Sequence, residues 1–80
     1  MNRKLSEIAK DILQHWKNPY FGAKPYIQAM LLINSAEPNA PYLSEPAASI
    51  VAYFLANATT FRGPDARRIK QELKSNYNIK

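Results

Sequence analysis

Apolar residues recur along this chain at the spacing of an α-helix, and four separate segments show the pattern. In the first, from about residue 2 to residue 17, apolar side chains occupy positions 5, 8, 9, 12, 13 and 16, which form one face of a helix. Asn18-Pro19 is expected to end this helix, because a residue before proline avoids the helical region. The second helix is predicted from Pro25 to Ile33, and its apolar residues predict burial on more than one side.

The third helix is predicted to follow a loop over residues 35–43, which contains two prolines and no periodicity. Ser44 is expected to cap this helix, with Glu45 and Pro46 in its first turn and its end near residue 58. Because residues 50–56 are apolar nearly all round, we expect this helix to lie at the centre, with the others packed against it.

The fourth helix is predicted from Pro64 to Asn76, after a break at Gly63. At about 100° per residue, one side of it is apolar and the neighbouring side is basic. The apolar side consists of Ala66, Ile69, Leu73 and Tyr77. The basic side, taken together with the residue just before the helix, forms a set that we call the basic stripe: Arg62, Arg67, Lys70, Gln71 and Lys74. Beyond it, Arg68 and Glu72 have the spacing of a weak ion pair.

These segments predict an all-α protein, a compact three- or four-helix bundle, because no stretch alternates as a strand does. The chain of 80 residues has room for one core, so residues 1–80 are expected to form a single helical domain. A domain this small gains stability from a second interface, which keeps a homodimer open.

Charge is distributed unevenly along the chain. The formal net charge of +5 is made of +3 over residues 1–24, −2 over residues 25–61 and +4 over residues 62–80. A basic balance favours an anionic partner. The sequence has no Cys, which excludes a disulfide framework, and no apolar run approaches the ~20 residues of a membrane span. We therefore expect a cytoplasmic protein without a membrane partner.

No set of residues predicts an active site, a metal site or a cofactor site. Glu7 and Asp11 are an acidic pair on the first helix, but no third ligand accompanies them. His15 has no assignable nucleophile, and neither of the two glycine-rich phosphate-binding motifs occurs. The sequence therefore favours a non-enzymatic protein without a cofactor.

Two kinds of partner stay open. The third helix, a short break and a basic helix resemble a helix-turn-helix in outline, and the basic stripe has the residue types that contact nucleic-acid phosphates and base edges. The exposed face of a helix at the end of a bundle is often rich in Lys and Arg, so a solvated or protein-contacting face is the more common role of such a stripe. Among the aromatic residues, Tyr20 and Phe21 lie in the first linker and are expected to be partly exposed, as a partner-binding pair would be.

Several stretches of the chain resemble a family of short proteins encoded by phages and prophages, to which we can assign no function. The resemblance lies in residues 5–12 (LSEIAKDI), 16–18 (WKN), 21–26 (FGAKPY), 50–58 (IVAYFLANA) and 61–70 (FRGPDARRIK). It covers most of the chain from Leu5 to Leu73, but residues 35–43 depart from the pattern. It implies an accessory gene product in an infected bacterial cytoplasm that acts by binding DNA, or as an adaptor or inhibitor that docks on a bacterial host or defence protein.

Overall fold

The computed structural model describes residues 2–79, which form four helices and one small hairpin. The elements in chain order are α1 (Leu5–His15), α2 (Lys24–Leu31), β1 (Pro41–Tyr42), β2 (Glu45–Pro46), α3 (Ala47–Ala56) and α4 (Pro64–Asn76). The prediction of a mainly helical protein is confirmed, but the two-stranded antiparallel sheet means that the fold is more than a helical bundle. The radius of gyration of 11.2 Å is that of a compact domain of this length.

Helix α2 lies between two partners, since it packs against both α1 and α3, whereas α4 packs mainly against α1. The prediction that the third helix is central is therefore wrong. Its buried side chains include Val51 and Phe54, but Tyr53 on the same apolar stretch is 42% exposed. Although α3 is apolar nearly all round, it does not lie at the centre of the fold, and part of its apolar surface faces solvent.

The first turn of α1 is held by the chain that follows α2. The Leu5 N–H donates to the Ser35 carbonyl at 2.8 Å and the Ser6 N–H donates to the Ile33 carbonyl at 3.0 Å. These are two of the amide groups that a helix leaves unpaired at its start. The Glu7 carboxylate accepts a hydrogen bond from the Lys4 N–H at 2.9 Å, so α1 begins later than its sequence pattern predicts.

The hairpin replaces the predicted helix start at Ser44. Pro41 pairs with Pro46 and Tyr42 pairs with Glu45, so Ser44 lies in the turn and α3 begins only at Ala47. Neither proline has an N–H to donate, and the next hydrogen bond is given by the Ala47 N–H to the Ala40 carbonyl at 2.8 Å. The backbone of the loop thereby caps α3, and no side-chain pattern predicts a cap of this kind.

Helix α2 is shorter than predicted and ends at Leu31. Leu32 caps it and is 72% exposed, whereas Ile27 and Met30 are fully buried. The expected burial on more than one side is therefore wrong at the C-terminal end of α2, where the chain turns away toward Ile33.

Trp16, at the C-terminal end of α1, joins three parts of the core. Its ring stacks on Phe61 with centroids 5.0 Å apart and planes at 16°, and it meets the edge of Phe54 from α3 at 6.4 Å. Phe54 and Phe61 are almost completely buried. Because Phe61 precedes α4, this cluster connects α1, α3 and the segment leading into α4.

We expect Trp16→Ala to lower the free energy of unfolding by about 3–5 kcal/mol, because it removes a large ring and leaves a cavity. That loss is comparable with the whole stability of a domain this small. Far-UV circular dichroism in urea measures it, since the variant has no Trp left for fluorescence. Trp16→Phe keeps an aromatic ring and is expected to lose less; a Trp16→Ala variant as stable as the wild type would contradict the role of the cluster.

Tyr77 closes the core at the end of α4, with only 3% of its surface exposed. Its hydroxyl is buried and has no hydrogen-bond partner among residues 2–79. Burial, with Glu72 and Glu37 nearby, raises the pKa of this hydroxyl above its usual value, so it stays protonated. A buried donor without a partner destabilises the folded state.

We expect Tyr77→Phe to leave the free energy of unfolding unchanged or to raise it by up to about 2 kcal/mol, because the ring stays and the unpaired hydroxyl goes. Urea titration of the variant measures the change. Tyr53→Phe, at an exposed position, is the matched control and should have no effect. A clear loss of stability in Tyr77→Phe would show that the hydroxyl makes a stabilising hydrogen bond.

Candidate functional site

The basic stripe is positioned by the first turn of α4 and by the residues before it. Gly63 caps the helix with φ 113° and ψ 178°, a conformation that is essentially restricted to glycine, and Pro64 follows as the first helical residue. The Arg67 N–H then donates to the Gly63 carbonyl at 2.9 Å. The predicted apolar side of α4 is confirmed, because all its members are buried: Ala66, Ile69, Leu73 and Tyr77.

The members of the basic stripe differ in how far they are held in place. Arg67, Gln71 and Lys74 are exposed, as is Arg62, whose Nε donates to the Thr59 carbonyl at 3.2 Å. Lys70 is half-buried, and its Nζ lies 5.8 Å from the centroid of the Phe61 ring. A cation over an aromatic face is attracted by the ring, so Phe61 holds the Lys70 ammonium group at a defined place.

Three of the stripe cations surround an open groove, which we call the Phe61 groove. It has a volume of about 300 Å³ and is lined by Phe61, Arg62, Gly63, Ala66, Arg67 and Lys70. The lining contains three basic side chains and no carboxylate. Gln71 and Lys74 lie outside the lining, so the structure brings Arg62, Arg67 and Lys70 together and leaves the rest of the predicted site farther along α4.

Positive charge is crowded at this groove. The pKa of the Lys70 ammonium is lowered below its usual value, first by burial and then by the nearby charges of Lys74 and Arg62. A cation whose protonation is opposed by neighbouring positive charges is stabilised when an anion comes between them. The arrangement is therefore suited to binding a negatively charged group.

The other side of α4 carries an ion-pair cluster that joins it to α1. Arg68 donates to the Asp11 carboxylate at 3.0 Å and contacts Asp65 at 3.2 Å, while Arg3 donates two hydrogen bonds to Glu72 at 2.6 and 2.9 Å. The predicted pair of Arg68 with Glu72 is therefore wrong. The preferred partners come from α1 and from the segment before it, which the spacing of residues within one helix cannot reveal.

Asp11 is the centre of this ion-pair cluster. Besides Arg68, its carboxylate lies 3.1 Å from the Arg3 guanidinium and 3.0 Å from His15 Nδ1. Its side chain is only 14% exposed.

The acidic pair that Glu7 and Asp11 form in the sequence is divided in the structure. Glu7 binds the backbone at the start of α1, whereas Asp11 faces α4.

The division of charge on α4 could not be read from its own sequence. Asp65 is close to the basic stripe along the chain, yet its carboxylate pairs with Arg68 and lies 3.5 Å from His15 Nε2. Sequence reasoning also missed Phe61 as the wall of a groove, although the apolar residue directly before Arg62 and Gly63 was a usable signal.

The helix-turn-helix outline is not formed. Residues 57–63 separate α3 from α4, which is longer than the turn of about 3–4 residues in that motif, and α4 packs mainly on α1. The basic stripe therefore belongs to a helix that packs mainly on α1, not on the helix that precedes it in the chain.

Tyr20 and Phe21 form a separate exposed aromatic pair, as predicted. Tyr20 is 45% exposed and Phe21 is 76% exposed, and their ring centroids lie 4.8 Å apart. Gly22 allows this packing, because a Cβ there would lie 2.6 Å from the Tyr20 ring and 2.9 Å from the Asn57 side-chain oxygen.

Neither a metal cluster nor a membrane span adds to these features within residues 2–79. No group of three or more His, Asp or Glu side chains is placed to hold a metal ion there. In the same range no helix has the length and apolar character needed to cross a membrane.

Comparison with known proteins finds no match. No protein-family model, no curated protein and no solved structure is significantly similar to the chain. The resemblance to short phage and prophage proteins therefore stays a prediction.

The ion-pair cluster predicts acid sensitivity. Hydrogen bonds from Arg68, and secondarily from Arg3, lower the pKa of Asp11 below its usual value even though its burial opposes the shift. The folded state thus favours the ionised carboxylate, so its stabilisation is present above about pH 4 and is lost as the pH falls through the lowered pKa. We expect Asp11→Asn to be less stable by about 1–2 kcal/mol at pH 7.

The same variant should also lose less stability than the wild type between pH 4 and pH 2, measured by urea titration at each pH. Glu45→Gln removes a carboxylate that makes no ion pair among residues 2–79 and is the matched control. Equal acid sensitivity of the wild type and Asp11→Asn would contradict the assignment.

Proposed function

We propose that this protein is a small non-enzymatic binding protein that contacts nucleic acid through the basic stripe. One observation carries the proposal: the stripe cations make no salt bridge among residues 2–79 and three of them lie together around one groove, whereas Arg68 on the other side of α4 is paired. The nearby carboxylates are taken up by the ion-pair cluster on the other side of α4. The setting that we propose is the one implied by the resemblance, a phage or prophage accessory protein in a bacterial cell.

The physical basis is the release of counterions from a phosphate backbone. Each cation that neutralises a phosphate releases condensed ions, so the affinity falls steeply as salt concentration rises. Arg62 and Arg67 can each give two parallel hydrogen bonds to a phosphate, and Lys74 extends the positive surface along α4. Gln71 lies between Arg67 and Lys74 in α4, and its side-chain amide is of the type that reads adenine edges.

The proposal is tested by binding of a labelled random DNA duplex and of single strands at several salt concentrations. For the duplex, three or four phosphate contacts predict a slope of about −3 to −4 in a plot of log affinity against log salt concentration. The triple variant Arg67→Ala, Lys70→Ala, Lys74→Ala should bind at least about tenfold more weakly and reduce the slope to about −1.

A second triple variant separates the stripe from net charge alone. Lys4→Ala, Lys10→Ala, Lys24→Ala removes the same charge from exposed positions in α1, in α2 and directly before α1, and should retain most of the affinity and slope. Equal losses in the two variants would show that only net charge matters. Absence of binding by the wild type at low salt would contradict the proposal.

A second candidate function rests on the aromatic pair. Exposed aromatic rings such as these are residues of the kind that anchors protein interfaces. Under this alternative the protein is an adaptor or inhibitor that docks on a bacterial protein through Tyr20 and Phe21. A homodimer through the same surface is the corresponding arrangement for two copies of this chain.

This alternative predicts a partner that is recovered from nuclease-treated bacterial lysate by the wild type. The same partner should also be recovered by the basic-stripe triple variant, but not by Tyr20→Ala, Phe21→Ser. Recovery that depends on nuclease-sensitive material, or that survives the aromatic substitutions, would contradict docking through this pair. Sedimentation of the purified protein decides whether that partner is a second copy.

A further inference from the structure

The Phe61 groove differs from the rest of the basic stripe because it is concave and its walls are held by the core. Phe61 is 2% exposed and stacked on Trp16, so the wall under Lys70 is rigid. Arg62 is anchored at Thr59 through Nε. Lys74, by contrast, lies in the last turn of α4 and is exposed. At one end of the stripe Phe61, Arg62 and Lys70 are therefore held in place, whereas the other end is an exposed charged surface.

We propose that the Phe61 groove binds a single phosphate group in its dianionic, monoester form, held by Arg62, Arg67 and Lys70. This inference rests on the proposed function only in naming nucleic acid as the source of the phosphate. The phosphate-binding chemistry of the groove does not depend on it. The lining has three cations and no carboxylate, around a volume of about 300 Å³ that is open to solvent. That space accommodates a phosphate with part of the sugar attached.

Charge balance favours a monoester over an internal phosphodiester. An internal phosphodiester of a nucleic acid carries one negative charge, whereas a terminal phosphate carries about 1.5 to 2 at neutral pH and offers three acceptor oxygens. Three converging cations are best compensated by the more highly charged group. On this basis the groove receives the terminal phosphate of a strand, while Lys74 and Gln71 meet the nucleotides that follow.

The lowered pKa of Lys70 is consistent with this assignment. Burial and the charges of Lys74 and Arg62 oppose protonation of Lys70, and a bound dianion would offset the effect of those charges. Phosphate binding should therefore raise the pKa of Lys70. The change is measurable from the side-chain Cε resonance, and a merely structural lysine would not show it.

The first arm of the test uses small probes and the whole protein. Inorganic phosphate and dimethyl phosphate are titrated separately at pH 7.5 and constant ionic strength, with detection by amide NMR. We expect inorganic phosphate to shift the amide signals of Arg62, Gly63 and Arg67 and to raise the pKa of Lys70. Dimethyl phosphate, a monoanionic diester, should bind at least about tenfold more weakly, because it has fewer charges and acceptors.

Two substitutions connect the effect to the groove. Lys70→Gln and Arg67→Gln should each weaken phosphate binding about tenfold or more, as expected for the loss of a charge-assisted hydrogen bond. Lys10→Gln removes one exposed charge from α1 and should not weaken it. Unchanged spectra with inorganic phosphate, or equal binding of the two probes, would overturn the proposal. So would a loss of binding in Lys10→Gln as large as that in Lys70→Gln.

The second arm identifies the source of the phosphate. A short single strand with a 5′-phosphate is compared with the same strand ending in a 5′-hydroxyl. Tighter binding of the phosphorylated strand by about tenfold, lost in Lys70→Gln, supports a strand end as the ligand. If neither strand binds but inorganic phosphate does, the proposed function fails and the groove is a site for a small free phosphate.

The converse result is also decisive. If both strands bind equally well and inorganic phosphate leaves the groove signals unchanged, the nucleic-acid function stands and the terminal-phosphate site is wrong. If the 5′-hydroxyl strand displaces inorganic phosphate as effectively as the phosphorylated strand, internal diesters occupy the groove and the preference for a monoester is overturned.

Discussion

The stack of Trp16 on Phe61 is the contact on which the rest of this small structure depends. It joins the end of α1 to the residue that precedes α4, and the edge contact with Phe54 brings in α3. Helix α4 otherwise packs mainly on α1, through its buried apolar side. Because Phe61 is fixed from the inside by Trp16, its outer side can serve as a rigid wall for Lys70. The Phe61 ring therefore contributes both to the packing of the core and to the wall of the surface groove.

Helix α4 uses its two polar sides for different purposes. On one side the cluster around Asp11 joins the helix to α1 and consumes the nearby carboxylates. On the other side Arg62, Arg67 and Lys70 surround a groove without a carboxylate in its lining. This separation is the basis of the proposed phosphate site, because three cations around one concavity attract an anion more strongly than the same charge spread evenly over a surface.

The errors in the predicted starts of α1 and α3 both involve backbone hydrogen bonds to segments outside the helix itself. The Ala47 N–H is satisfied by the Ala40 carbonyl, so α3 starts after a hairpin that residue preferences did not predict. Likewise the start of α1 is tied to the chain beyond α2 through Leu5 and Ser35. Helix boundaries depend on which carbonyl happens to lie near a free N–H, and that is a property of the tertiary structure.

The sequence by itself determined the four helices, the buried side of α4 and the residues of the basic stripe, because helical periodicity and Gly-Pro breaks are local properties. It also indicated that Tyr20 and Phe21 would be exposed, which the structure bears out. Only the tertiary structure decided which cations are neutralised. Arg68 and Lys70 are near neighbours in one helix, yet one meets the carboxylates of α1 and the other meets an aromatic wall and open solvent. Partners that lie tens of residues apart are chosen by packing, and no local pattern encodes them.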